Sequence, residues 1–263
     1  MTFIDGYAYA SRITKADPKA KVLFSIAPLV ICLAMDSIFV SLLALAVMGA
    51  ATMWFARLNL KRYLHFLLIP FGFLVIGTIT IMVNQYMAGT PLLLGIQMGD
   101  YSYGISTASL LKGGGLILKA LACVSCMYFL SFNTPMTSLF SELGRIKQLD
   151  IVVSLMELIY RYIFVLWDEA ERIRTAQESR LGYRNLRAAF ASTGTLISML
   201  FFRAYQRCDR TFSALESRGF QGQLAVVADD YTACPRLYWG AGALAAALIA
   251  AGVIKTAFIG AIL

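Results

Sequence analysis

Long apolar runs separated by short polar breaks dominate the first half of the chain. A helix needs about 20 apolar residues to cross the hydrocarbon core of a bilayer. Pro18 to Met35 meets that need, with Pro18 suited to a first helical turn. After the break Asp36-Ser37, Ile38 to Ala56 forms a second span and Tyr63 to Val83 a third. The polar stretch from Asn84 to Tyr103 reads as a loop, and Gly104 to Phe132 is long enough for a fourth span. Leu237 to about Leu263 is the last.

The pattern between Asn133 and Arg236 is different. From Thr195 to Arg218, apolar residues recur at helical spacing (Ile197, Leu200, Phe201, Ala204, Tyr205, Cys208, Phe212, Leu215), with Arg203, Arg207 and Arg210 largely off that stripe. This predicts an amphipathic helix. Ile151 to Arg180 predicts another, apolar in its first half and charged in its second. Ile151–Trp167 and Ala188–Phe202 are also apolar enough to resemble spans. If both crossed, Arg172, Arg174, Arg180, Arg184 and Arg187 would lie outside, against the positive-inside rule, and Glu157 and Arg161 would sit in the membrane. Both stretches are therefore expected to lie at or just below the interface.

Composition agrees with a membrane protein. Of 263 residues, 59% are hydrophobic and only 14% charged, which excludes an ordinary soluble domain and a disordered chain. The net charge is +8. Residues 133–223 hold twelve Lys/Arg and nine Asp/Glu with signs interleaved, so the surplus does not form a nucleic-acid-binding face. Lys and Arg flank the first span (Arg12, Lys15, Lys19, Lys21) and join the second to the third (Arg57, Lys61, Arg62). This places the N-terminus and residues 133–236 in the cytoplasm. No apolar signal region is expected within the first 21 residues. The expected architecture is an all-α membrane protein of about five spans in three parts: an N-terminal membrane region, 1–132; a cytoplasmic coupling-helix region, 133–236; and a C-terminal span, 237–263.

The two amphipathic helices end alike. Arg172-x3-Ala176-x-Glu178-Ser179-Arg180 is matched 38 residues later by Arg210-x3-Ala214-x-Glu216-Ser217-Arg218, each followed by glycine (Gly182, Gly219) and an aromatic residue. A helix stop accounts for the glycine and the last-turn arginine, but not for the retained Ala and Ser. Small residues let a partner approach, and arginine offers a fixed donor fork to a carboxylate. Two matching ends suit two matching grooves on a two-fold partner, such as a dimer of ATP-binding subunits. The chain itself has no G-x-x-x-x-G-K-[ST], so ATP is expected on that partner.

These paired ends resemble those of the transmembrane T component (EcfT/CbiQ-like) of energy-coupling factor transporters. Asp17-Pro18-Lys19-Ala20-Lys21-Val22 resembles the family's Asp-Pro-Arg-x-Lys-Leu segment. Ile4-Asp5-Gly6-Tyr7-Ala8, Tyr160-Arg161-Tyr162 and Ala214 to Gly222 resemble the cobalt branch, with the nickel branch close behind. The resemblance implies a non-catalytic subunit of a bacterial or archaeal cell-membrane importer of cobalt or nickel. It would bridge a pair of ABC-type ATPases to a substrate-binding membrane subunit. Arg180 and Arg218 would dock into the ATPases, with Ala176, Ser179, Gly182, Ala214, Ser217 and Gly219 as their small neighbours. The first copy departs from the family in placing Gly182 one position late. A T component serving vitamin-binding subunits, and a membrane enzyme or scaffold, are the alternatives.

Other candidates carry less. The one histidine, His65, reads as an interfacial side chain, and Cys123 and Cys126 lack a second pair to complete a metal site. No metal or cofactor is expected on this chain. Gly113-Gly114-Gly115 reads as a close helix contact or a kink. Lys112 is expected to snorkel outward and Lys119 to face a polar seam, while Asp36, Asp100 and Asp229-Asp230 are expected to be solvated loop residues.

Overall fold

The computed structural model describes residues 3–82, 84–87, 94–98, 101–105, 107–219, 231–232 and 234–260. In chain order the elements are α1 (Phe3–Ala10), α2 (Pro18–Ala34), α3 (Ile38–Ala56), α4 (Leu60–Met82), β1 (Asn84–Met87), β2 (Leu94–Met98) and β3 (Tyr101–Ile105). They continue with α5 (Thr107–Asn133), α6 (Met136–Leu143), a short 3₁₀ turn (Lys147–Leu149), α7 (Asp150–Ser179), α8 (Leu186–Ser217) and α9 (Pro235–Gly260). Two compact units result: residues 2–136 with 230–263, and residues 137–229.

The first unit is built around α5. The start of α2 is set by Asp17, whose carboxylate accepts the Lys19 amide at 3.1 Å, with Pro18 in the first turn. α3 packs along α5 through Val40, Ala44 and Met48 against Ala122, Cys126 and Phe129. α2 and α9 close the other side through Phe24, Cys32, Leu244 and Leu248. Polar groups within this core find partners across helices: Ser25 donates to the Cys126 carbonyl at 2.6 Å, and Tyr63 and Ser125 share a 2.7 Å hydrogen bond. At one end, Ser11 donates to the Asn133 amide oxygen at 2.7 Å and to the Phe55 carbonyl at 3.2 Å. Lys21, wholly buried, donates to the Thr14 carbonyl at 3.0 Å.

Among the described residues four helices are long and apolar enough to cross a membrane: Ile38–Ala56, Leu60–Met82, Ser109–Asn133 and Pro235–Val253. α2, the first of the five expected spans, has 17 residues and falls just short. α7 and α8 are not among the four, although they have 30 and 32 residues.

Three expectations are corrected. The stretch 84–103 is not simply a loop: β1, β3 and β2 form an antiparallel sheet in that order, with Gln85 opposite Tyr103 and Ile96 opposite Tyr103 on the other side. Tyr86, Ile96, Tyr101, Tyr103 and Ile105 are strand formers, and their density outweighs the polar residues between them. The second amphipathic helix begins at Leu186, not Thr195, because Asn185 caps it by accepting the Ala188 amide at 2.8 Å. Lastly, Asp36 is not merely solvated, since it pairs with Lys119 at 2.5 Å. Asp100 and Asp229-Asp230 lie outside the described residues.

Candidate docking site on the paired helices

α7 and α8 run antiparallel. Gln177 lies beside Ser192, Glu169 pairs with Arg203, and Tyr162 and Thr211 share a 2.9 Å hydrogen bond, so positions rise along one helix as they fall along the other. A consequence concerns the repeat. A direct 38-residue repeat placed on antiparallel helices brings its two copies to opposite ends of the pair, facing opposite ways. Arg180 and Arg218 are thereby roughly 45 Å apart at 1.5 Å per helical residue.

Each arginine occupies the same local position. Both helices end at the preceding serine, Ser179 and Ser217, and both arginines are the capping residue with near-identical backbone angles (φ −99° and −94°). The next residue is left-handed in both copies: Gly219 at φ 75° and Leu181 at φ 59°. In the first copy the Leu181 amide donates to the Glu178 carbonyl at 2.9 Å and the Gly182 amide to Gln177 at 2.8 Å, a Schellman stop. In the second, the Gly219 amide donates to Glu216 at 3.0 Å. Phe220, its following aromatic, lies outside the described residues.

The late glycine of the first copy has a packing cause. A Cβ on Gly182 would lie 2.7 Å from Ser192 Oγ and 2.9 Å from the Gln177 carbonyl oxygen. Gly182 is thus required for close approach, while Leu181, an exposed residue, carries the left-handed turn. Ser192 donates to the Gly182 carbonyl at 2.8 Å, Gln177 to the Ser192 carbonyl at 2.9 Å, and Tyr183 to the Gln177 side chain at 2.9 Å. This corner escaped the sequence reading. Its signal in the sequence was slight: Gln177 stands where the second copy has the apolar Leu215.

Arg180, Arg218, Ala176, Ser179, Ala214, Ser217 and Gly219 are all exposed, and Gly182 is half-buried. The serine hydroxyls turn back onto their own helices, to Thr175 and Ala214 carbonyls at 2.9 and 3.0 Å, which keeps the surface beside each arginine low. Shallow hollows run along both ends. One is lined by Asp168, Glu171, Arg172, Thr175, Ala176 and Ser179. The other is lined by Arg207, Arg210, Thr211, Ala214, Leu215 and Arg218, and is markedly more basic. Glu178 is engaged by Arg174 at 2.9 Å, an i,i+4 pair that raises the Arg174 pKa, and Arg174 also lies over the Tyr183 ring.

A scan against family models matches residues 10–227 to CbiQ, described as a cobalt transport protein. The chain belongs to the CbiQ family. Among CbiQ-family relatives, the cobalt transport protein CbiQ of Salmonella typhimurium is 31% identical over 222 residues, covering 84% of this chain and 98% of that one. The putative fused cobalt transport protein CbiMQ of Methanocorpusculum labreanum is 30% identical, over 86% of this chain and 38% of that longer one. The energy-coupling factor transporter transmembrane protein EcfT of Lactococcus lactis is 26% identical, over 81% of each. This CbiQ-family chain is a multi-pass membrane protein.

The other sequence candidates fall elsewhere. His65 is exposed near the start of α4, against the Phe66 ring. Cys32 sits in the core cluster against which Cys123 packs, where α2 meets α5, and all five cysteines are free. Among the described residues no group of three or more His, Cys, Asp or Glu is placed to hold a metal ion. Gly113 is a close helix contact, since a Cβ there would collide with Met82 and Thr78 of α4.

Proposed function

We propose that this chain is the T subunit of an ATP-driven importer of cobalt or nickel, non-catalytic itself. In this reading it couples a pair of ABC-type ATPases to a substrate-binding membrane subunit. The observation that carries this reading is the geometry of the repeat: two exposed arginines in one local conformation, at opposite ends of an antiparallel helix pair. That is the arrangement a two-fold ATPase pair requires of a single chain. Family membership and the relative named EcfT support it. The relative named as a fused protein supports a close companion chain.

Arg180 and Arg218 carry the docking, each entering a groove with its guanidinium fork. Ala176, Ser179, Ala214, Ser217 and Gly219 keep the contact close, and Gly182 holds the α7–α8 corner. Exposed apolar residues along the helices, including Leu155, Ile159 and Ile163 on α7 and Phe201 and Phe212 on α8, would face the membrane or the substrate-binding subunit. The lysines and arginines of the first 21 residues and of the 57–62 turn put both segments and residues 133–236 on the cytoplasmic side, where ATP is.

The test is a detergent pull-down of the assembled transporter carrying R180E and R218E together. The expected result is loss of the ATPases with the substrate-binding subunit retained. Intact assembly with unchanged cobalt uptake would overturn the assignment. The identities of the co-purifying membrane subunit and its transported substrate separate a metal system from a vitamin system.

A further inference from the structure

The Ser11 hydroxyl, which reaches both Phe55 and Asn133, brings the ends of α3 and α5 to one level. Counting 1.5 Å per residue from that level, α3 reaches Ile38 at about 26 Å, while α5 reaches Lys119 at about 21 Å and Lys112 at about 32 Å. A hydrocarbon core is about 30 Å thick. The α2–α3 turn therefore stops short of the α5 start, and α5 continues about a turn past it, over a length close to that of the hydrocarbon core. Lys112 lies two turns of α5 beyond Lys119, about 11 Å along the helix, past the Asp36–Lys119 pair.

A cavity of about 910 Å³ opens in this step. Its walls are mostly apolar, with Leu33, Ile38, Leu111 and Leu116 among them, and Lys112 and Lys119 also line it. Lys119 is held, donating to Asp36 and to the Leu33 carbonyl at 2.9 Å. Lys112 is exposed. The cavity also contains Ser37, which is 5% exposed and whose hydroxyl has no hydrogen-bond partner among the described residues. Ser37 is the N-cap of α3 but makes no side-chain capping bond there, so the helix start offers amide donors to an anion. Asp36 offsets Lys119, and Lys112 leaves the rim with a net positive charge.

We propose that this step is a binding site for an anionic phospholipid. The phosphate lies between Lys112 and the Ser37 end of α3, and the acyl chains enter the apolar cavity below. A soluble anion would leave the apolar walls bare. A neutral lipid would leave Lys112 without a counter-charge. The cavity belongs to the membrane unit alone, so the proposal is independent of ATPase docking.

The experiment uses the complete transporter purified in mild detergent, with retained phosphatidylglycerol, phosphatidylethanolamine and phosphatidylcholine measured by native mass spectrometry. Phosphatidylglycerol is expected to be retained preferentially. K112Q is expected to weaken that preference about fivefold, the effect of one surface charge on an anionic membrane. G115L, which adds a side chain within the cavity lining, is expected to remove retention of all three lipids at this site. Equal retention of the three lipids by the unmodified protein, or a preference unmoved by both variants, would overturn the proposal. So would photo-crosslinking from position 116 to another protein subunit instead of to lipid.

Discussion

Gly182 and Ser192 touch where α7 turns into α8: the serine hydroxyl donates to the glycine carbonyl at 2.8 Å, and no Cβ fits between them. G182A is therefore expected to destabilise the helix pair by about 2 kcal/mol through overpacking. G219A meets open space and is expected to lose about 1 kcal/mol, through its left-handed backbone alone. Thermal melts of the two variants should differ accordingly. Equal losses would mean that Gly182 has no packing role.

Leu181 is exposed yet left-handed, so L181G should relieve backbone strain at little loss of contact. The gain is expected to be about 0.5–1 kcal/mol after the extra freedom of glycine in the unfolded chain is counted. Hydrogen exchange of the 177–185 amides should slow. Faster exchange would show that the leucine side chain holds the corner after all.

The glutamates inside the repeat lie two residues from the arginines, on another helix face, and Glu178 is already paired to Arg174. E178Q and E216Q are expected to leave cobalt uptake near normal, since exposed ion pairs contribute about 0–1 kcal/mol. Single R180E and R218E variants should each lower it more. Larger losses at the glutamates would reverse the assignment of docking residues. Raising salt should weaken ATPase contact at the basic α8 end more than at the mixed α7 end.

Asn133 ties the Ser11 segment to α5, accepting from Ser11 and donating to the Phe129 carbonyl of its own helix at 2.9 Å. N133L removes both bonds and leaves the buried Ser11 hydroxyl with the Phe55 carbonyl as its remaining acceptor. A loss of about 1–3 kcal/mol is expected, read as a lower melting temperature in detergent. S11A with N133L should lose less than the sum of the two single changes.

Much of this was legible in the sequence because local chemistry decided it. Asp17-Pro18 starts α2 as caps dictate, and the serine–arginine ends of α7 and α8 stop where the repeat says they should. The start of α8 was not legible. The apolar stripe was traced only from Thr195, yet Asn185 caps the helix and Gly194 is carried within it. The pairing of Lys119 with Asp36 was also hidden, since it depends on how far α5 overshoots the α2–α3 turn. Nothing local announced that Cys32 and Cys123, 91 positions apart, would share one core cluster. The strands between Asn84 and Ile105 were masked by glycines and polar residues that a sheet accommodates as easily as a loop does.

The antiparallel setting of α7 and α8 has a mechanical consequence for the proposed assembly. If two ATPase subunits close on Arg180 and Arg218, the forces they apply are equal and opposed. Their sum is zero, so the helix pair gains no net thrust toward or away from the membrane. Offset from one another across the width of two helices, the forces leave a torque. A single-chain subunit gripped at both ends of a hairpin is thus driven to rotate, and a partner resting on its apolar faces would be tilted, not lifted.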